Sequence, residues 1–256
     1  MGKPLMIIKT GGRAAENSEA LVHLADEIKV LTNQYDFLIV HGGGAAVSAI
    51  QKTYGIDPIF KDGIRMTTER EMDLVDMGLA GLMNKKLVRL FTSCGLNPVG
   101  ISGADGSLLT GEPIEEESRT GRITGSDRKI VDVLLGGGYT PIVSPVSTDV
   151  QGRALNINAD EAALALGIAC RAETIVFLSD IPGILKGDDL IGHLNESEAE
   201  SLIEEGIISG GMIPKVRSSL KALREGAGTV VIGEYRNPGD LDNLLKGNKG
   251  TKIWLK

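Results

Sequence analysis

The sequence predicts an α/β protein, a three-layer αβα sandwich around a mainly parallel central sheet. Two observations carry this. Short, nearly continuous apolar runs recur along the chain, as expected for strands covered on both faces. Stretches with helical periodicity separate them, and alternation of the two places helices on both sides of one sheet. The chain has 256 residues, 42% of them hydrophobic, which suffices for a sizeable core.

The strand-like runs are Leu5 to Ile8, Phe37 to Val40, Pro98 to Ile101, Pro141 to Val146, Thr174 to Ser179 and Thr229 to Ile232. Between the first two, Leu21, Leu24, Ile28 and Leu31 mark an amphipathic helix after Ser18. Ala46, Val47, Ile50 and Tyr54 mark the next. Thr68-Glu69-Arg70-Glu71 fits a capping box ahead of Leu74, Val75 and Leu79; Ser197-Glu198-Ala199-Glu200 fits another, ahead of Leu202 and Ile203, with Gly206 as the stop. Gly136-Gly137-Gly138 reads as a helix stop and turn. Two polar segments break the alternation. Residues 108–130, with a turn expected at Thr120-Gly121, and residues 150–157, with a turn at Gln151-Gly152, read as hairpins over the open end of the sheet.

Composition excludes several function classes. Charged residues make up 24%, net charge is -7 and the pI is about 5.1. That opposes broad binding to nucleic acid or anionic membrane. No apolar run approaches the ~18 residues of a membrane span, and no leader pattern is visible. Cys94 and Cys170 have no metal-ligand spacing and read as two buried free thiols of a reducing cytoplasm. The Walker, kinase H-R-D, dinucleotide, H-E-x-x-H and G-x-S-x-G signatures are all missing, and His23, His41 and His193 are scattered.

Several glycine-rich turns follow or precede elements in a way that suits an anion. Lys9-Thr10-Gly11-Gly12 ends the first strand. His41-Gly42-Gly43-Gly44 ends the second and opens a helix. Glycine permits close backbone approach, and a helix N-terminus adds unpaired N–H groups and a positive dipole end. Taken alone, each is also an ordinary strand-to-helix turn. In Asn156-Ile157-Asn158-Ala159-Asp160, alternate residues of an extended chain share a face, so both asparagines and the aspartate can line one site. Asp160 also suits a helix N-cap. Leu178-Ser179-Asp180-Ile181-Pro182-Gly183 is a strand end with a turn. Lys215, after Ser209-Gly210-Gly211-Met212, stands near a helix N-terminus against the dipole preference, which an anionic ligand explains.

The order of these motifs, together with Gly63-Ile64-Arg65-Met66-Thr67 and Gly183-Ile184-Leu185, resembles the amino acid kinase family over residues 5–256. Within it the chain is similar to the members that phosphorylate N-acetyl-L-glutamate. The resemblance implies transfer of the γ-phosphoryl group of ATP, with magnesium held mainly by the nucleotide, to the γ-carboxylate of N-acetyl-L-glutamate in arginine biosynthesis. It implies that Lys9 and Lys215 stabilise the transition state and that Asp160 organises them. Gly43, Gly44, Arg65, Asn156 and Asn158 match the acceptor-binding positions. Gly11 and Gly12, then Asp180, Ile181, Pro182, Gly183, Ile184 and Leu185, then Ile207, Ile208 and Ser209 match the nucleotide-binding stretches. No metal-binding residue is implied.

The resemblance further implies an acceptor lobe with the dimer interface in residues 1–170 and an ATP lobe in residues 171–256, as one catalytic unit. Arginine-inhibited members carry an additional N-terminal helix that links dimers into hexamers. With the first strand at about Leu5, the expectation is a cytoplasmic homodimer without strong arginine feedback. One departure is the basic character of residues 108–130, with Arg119, Arg122, Arg128 and Lys129. It raises an alternative, a kinase for glutamate or aminoadipate bound to an acidic carrier protein. A second alternative is a non-catalytic amino-acid sensor of the same fold; the joint presence of Lys9, Asp160 and Lys215 opposes it.

Overall fold

The structure, a computed structural model, describes residues 2–11, 17–61 and 64–255. Its centre is an eight-stranded sheet in the order His193–Leu194, Thr251–Ile253, Thr229–Glu234, Thr174–Ser179, Leu5–Thr10, Asp36–His41, Thr140–Ser144, Pro98–Ser102. The six longer strands are mutually parallel; Thr251–Ile253 pairs antiparallel with Thr229–Glu234. All six predicted runs fall on strands of this sheet, except that Pro141 to Val146 breaks after Ser144 and Val146 opens a separate strand. Their apolar continuity has the expected cause, since alternate residues feed two separate cores. Leu5, Ile7, Leu38, Val40, Ile175 and Phe177 join helices Ala159–Cys170 and Met212–Arg224 on one face. Met6, Ile8, Phe37, Ile39, Val176 and Leu178 pack with helices Ser18–Leu31, Asn84–Ser93 and Asp240–Lys246 on the other.

The first helix follows its predicted stripe, with Leu21, Leu24, Ile28 and Leu31 all buried and Asn17 as cap. The second, Gly44–Thr53, does not. Only Val47 and Gln51 are buried, and Tyr54 is 61% exposed beyond its end. That helix lies at the margin of the core and turns its inner side to Gly78 and Arg65. The Thr68 capping box is present, with the Thr68 N–H donating to Glu71 Oε2 at 2.9 Å. The other box starts two residues earlier than predicted. Asn195 caps Glu196–Glu204 and pairs reciprocally with Glu198, leaving Ser197 to donate to Asn195 Oδ1. Gly138 and Gly206 are left-handed, as chain reversals at helix ends require.

The two predicted hairpins exist, but they do more than cover the sheet. Leu109–Pro113, Thr120–Ser126, Val146–Thr148 and Ala154–Ile157 close into a small four-stranded barrel. It grows from the C-terminal ends of Pro98–Ser102 and Thr140–Ser144. The second hairpin turns at Gln151-Gly152 as expected, with Gly152 at φ +79°. In the first, Thr120-Gly121 is not the turn. The chain reverses over residues 114–119, and Thr120 and Gly121 pair in register with Asn156 and Ile157. Gly121 is needed there because a Cβ would meet Ile157 at 2.9 Å and Leu155 at 3.0 Å.

One helical segment has an unexpected interior. Helix Glu69–Asp76 continues through a π-helical stretch, Met77–Met83, into Asn84–Ser93. Wider π turns are rare and often lie at functional sites. This one packs against Gly44–Thr53, beside the His41-Gly42-Gly43-Gly44 turn.

Candidate active site

Strand alternation decides where Lys9 points. Leu5 and Ile7 face the core under helices Ala159–Cys170 and Met212–Arg224. Lys9, two residues on, is on that face at the strand end. There its Nζ lies 2.8 Å from Asp160 Oδ1. Lys215, from the first turn of Met212–Arg224, reaches the other oxygen at 3.0 Å. One carboxylate thus holds two ammonium groups from a strand and a helix far apart in sequence. Burial raises the Asp160 carboxyl, but the two lysine charges outweigh that and hold it below its ordinary value. Lys215 also lies 5.2 Å from the Phe177 ring centroid.

Asp160 is not the helix cap the sequence suggested. Asn158 takes that place, its Oδ1 accepting the Asp160 N–H at 2.8 Å, and this frees the Asp160 carboxylate for the lysines. Gly11 has a definite steric role. A Cβ there would crowd the Lys9 ammonium, the movable end of a long side chain, so glycine leaves that ammonium room to fold back over the strand end. Gly12 lies outside the described residues.

Beside the charged cluster is a cavity of about 170 Å³, lined by Gly42, Gly43, Gly44, Arg65, Asn156 and Asn158 among others. All five predicted acceptor residues therefore converge on one space. Gly43 has φ +155°, and a Cβ on it would meet Leu79 at 2.9 Å. Arg65 is held in place before any ligand arrives. Its Nη1 donates to Gln51 Oε1 at 2.5 Å, and its Nη2 to Ser48 Oγ at 2.7 Å and the Gly44 carbonyl at 2.9 Å. Phe60 lies under the guanidinium, 4.7 Å from Cζ to centroid. Gln51 is fully buried and donates in turn to Glu71. Asn156 donates to Thr67, and Thr120 ties Arg65 O to the Thr67 N–H. A second cavity, about 750 Å³, opens from Asn158, Asp160 and Lys215 along the groove between helices Ala159–Cys170 and Met212–Arg224.

The residues matched to a nucleotide fall elsewhere. Asp180, Ile181, Pro182, Gly183, Ile184 and Leu185 follow strand Thr174–Ser179, and Ile207, Ile208 and Ser209 precede helix Met212–Arg224; neither stretch lines these two cavities. Ile184 and Ile208 are buried core side chains, so their contribution to any ligand is through backbone. Sequence reading missed Gln51, Ser48, Phe60 and Thr120. Thr67 stood inside a quoted motif but drew no role, and the other four carry no local signal.

The basic segment is not a basic strip. Arg119 is buried and paired with Glu69; Arg122 pairs with Glu112 at 2.6 Å, Arg128 with Asp132 at 2.5 Å and Lys129 with Asp127 at 2.8 Å. Among the described residues no cluster of three His, Cys, Asp or Glu side chains is placed to hold a metal, and no helix is long and apolar enough to cross a membrane. Chemically, the site offers converging cations and helix N-termini, suited to anionic groups brought close together.

A parallel sheet that ends in glycine turns, with two lysines joined through one aspartate, suits transfer of a phosphoryl group between anions, and the sequence comparisons agree. Residues 4–234 match the amino acid kinase family, and the chain belongs to it. It is 33% identical over 248 residues to the acetylglutamate kinase of Rubrobacter xylanophilus, covering 97% of this chain and 96% of that protein. To the acetylglutamate kinase of Methanopyrus kandleri it is 35% identical over 259 residues, covering 96% and 99%. The carbamate kinase of Giardia has the same fold, with a TM-score of 0.73 at 17% identity over 99% of both chains.

Proposed function

We propose that this chain transfers the γ-phosphoryl group of MgATP to the γ-carboxylate of N-acetyl-L-glutamate, forming an acyl phosphate for arginine biosynthesis in the cytoplasm. The observation that carries this is the Lys9–Asp160–Lys215 cluster placed beside a cavity that holds Arg65 and the Gly43-Gly44 turn. Full-length similarity to acetylglutamate kinases supports the choice of acceptor.

The chemistry asks little of a base. The acceptor is already a carboxylate, so catalysis reduces to alignment and offsetting repulsion between two anions. Lys9 and Lys215 supply the charge, and Asp160 fixes both ammonium groups before the substrates meet. Arg65, with its remaining N–H donors, takes a carboxylate of the acceptor. Gly11, Gly43 and Gly44 offer backbone N–H groups, as does the helix that Asn158 caps. Asn156 orients the acceptor. Asp180–Leu185 and Ile207–Ser209 wall the nucleotide, which brings its own magnesium; Asp160, already held by two lysines, is not a ligand for it. Residues 1–170 serve the acceptor and residues 171–256 the nucleotide.

The local pairing of Arg119, Arg122, Arg128 and Lys129 weighs against the acidic-carrier alternative, which needs free cations on that surface. A homodimer fits the exposed apolar side chains Tyr54, Ile59, Met77 and Leu82 on neighbouring elements of the acceptor lobe. An assay of ADP release should show turnover with N-acetyl-L-glutamate and not with L-glutamate or UMP. Turnover confined to a carrier-linked acceptor would overturn the proposal.

A further inference from the structure

His41 opens the glycine turn, yet the mechanism above leaves it without a task. It is fully buried, and burial lowers its pKa to about 4, so its ring is neutral at working pH. Its two nitrogens have different partners. Nδ1 lies 2.7 Å from the Gly42 carbonyl, which can only accept, so Nδ1 carries the proton. Nε2 lies 3.1 Å from Asn84 Nδ2 and accepts from it. Asn84 cannot be reversed. Its Nδ2 also faces the carbonyls of Ile142 at 2.9 Å and Ile101 at 3.2 Å, and its Oδ1 accepts from Lys85 at 3.0 Å. Asn84 is itself fully buried at the end of the π-helical stretch, where Leu79 and Met83 press on Gly43. The tautomer of His41 is therefore set by groups anchored in the glycine turn, two strands and a helix.

We propose that His41 is a positioning residue for the acceptor cradle: by holding the Gly42 carbonyl inward it aims the Gly43 N–H outward into the cavity. The link is the peptide plane. In a trans peptide the C=O and the following N–H point in opposite directions, and no described peptide is cis. A carbonyl tied to a buried ring thus fixes its partner N–H toward the opposite side, where Gly43 lines the 170 Å³ cavity. The Gly43 carbonyl accepts from the Val47 N–H, so the Gly44 N–H is turned away from the helix in the same manner. Without His41, the Gly42–Gly43 plane is free to rotate, and the donor is lost at the moment negative charge must be held. This rests on reading Gly43 and Gly44 as the acceptor cradle.

The test compares His41→Asn with His41→Gln in steady-state kinetics with N-acetyl-L-glutamate, beside Arg65→Ala. The Asn amide can take the place of Nδ1 and donate to Gly42; the Gln amide reaches the place of Nε2. Gln is nearer to His in volume, so a space-filling role favours Gln. Donor aiming favours Asn: His41→Asn should keep kcat within about threefold, and His41→Gln should lose about 10²-fold, the scale of one missing oxyanion donor. Gln equal to or better than Asn overturns the proposal while Arg65→Ala still raises the acceptor KM. If Arg65→Ala leaves that KM unchanged, the cradle reading falls and the proposal with it. Should neither His41 variant fold, 15N NMR of the unaltered protein decides. A proton on Nδ1, with a Gly43 amide shift on adding N-acetyl-L-glutamate, is expected; a proton on Nε2 overturns the proposal.

Discussion

Lys9 would be an ordinary strand-end lysine without Asp160, and Asp160 an ordinary first-turn carboxylate without the two lysines. Their meeting has a consequence for stability. The folded pKa of Asp160 lies below its ordinary value of 3.8. A group depressed on folding contributes stability that is fully present above its unfolded pKa and lost as pH falls through the folded one. Urea unfolding of the parent and of Asp160→Asn should therefore differ at pH 7, and the gap should begin to narrow as pH falls below about 4. A gap that persists unchanged to pH 3 would deny the coupling. The three charged residues were legible in the sequence because each was locally odd: a lysine before glycines, an aspartate after alternating asparagines, a lysine at a positive helix end. Gln51 and Ser48 were not legible. Nothing in their neighbourhood shows that an arginine fourteen or more residues away will fold back onto them.

Elements joined by side-chain caps show the same limit. The carboxylate of Glu27, on helix Ser18–Leu31, accepts N–H groups at the start of helix Asp240–Lys246, from Gly239 at 2.7 Å and Leu241 at 3.1 Å. Tyr235 also donates to it at 2.6 Å, and burial together with that acidic partner raises the Tyr235 phenol. This is a helix cap supplied from more than two hundred residues away, which no sequence window contains. Glu27→Ala should lower unfolding stability by about 1–2 kcal/mol, the size of a lost N-cap, with kcat unchanged. A loss confined to kcat would contradict the structural role. Short apolar runs named the six longer strands of the central sheet. The two-residue strands Leu185–Lys186, Asp189–Leu190 and His193–Leu194 were too short to show a period. The barrel was half legible: hairpin polarity was visible, but closure depends on pairing between strands about forty residues apart.

Across the whole molecule, strands from both halves of the chain share one sheet, with Thr174–Ser179 beside Leu5–Thr10. That adjacency brings Lys9 within reach of Lys215, and it follows from topology, which the alternation of strands and helices constrains but does not fix. A two-lysine clamp assembled across this sheet makes a direct demand on kinetics. Lys9→Ala and Lys215→Ala should each lower kcat by about 10²–10³, as expected for loss of a group that acts on transition-state charge. The acceptor KM should change little, and the double variant should fall short of the product of the two single effects. The decisive measurement is kcat of Lys9→Ala under saturating MgATP and N-acetyl-L-glutamate: a fall of that size is the predicted result, and an unchanged kcat in a folded protein contradicts the clamp.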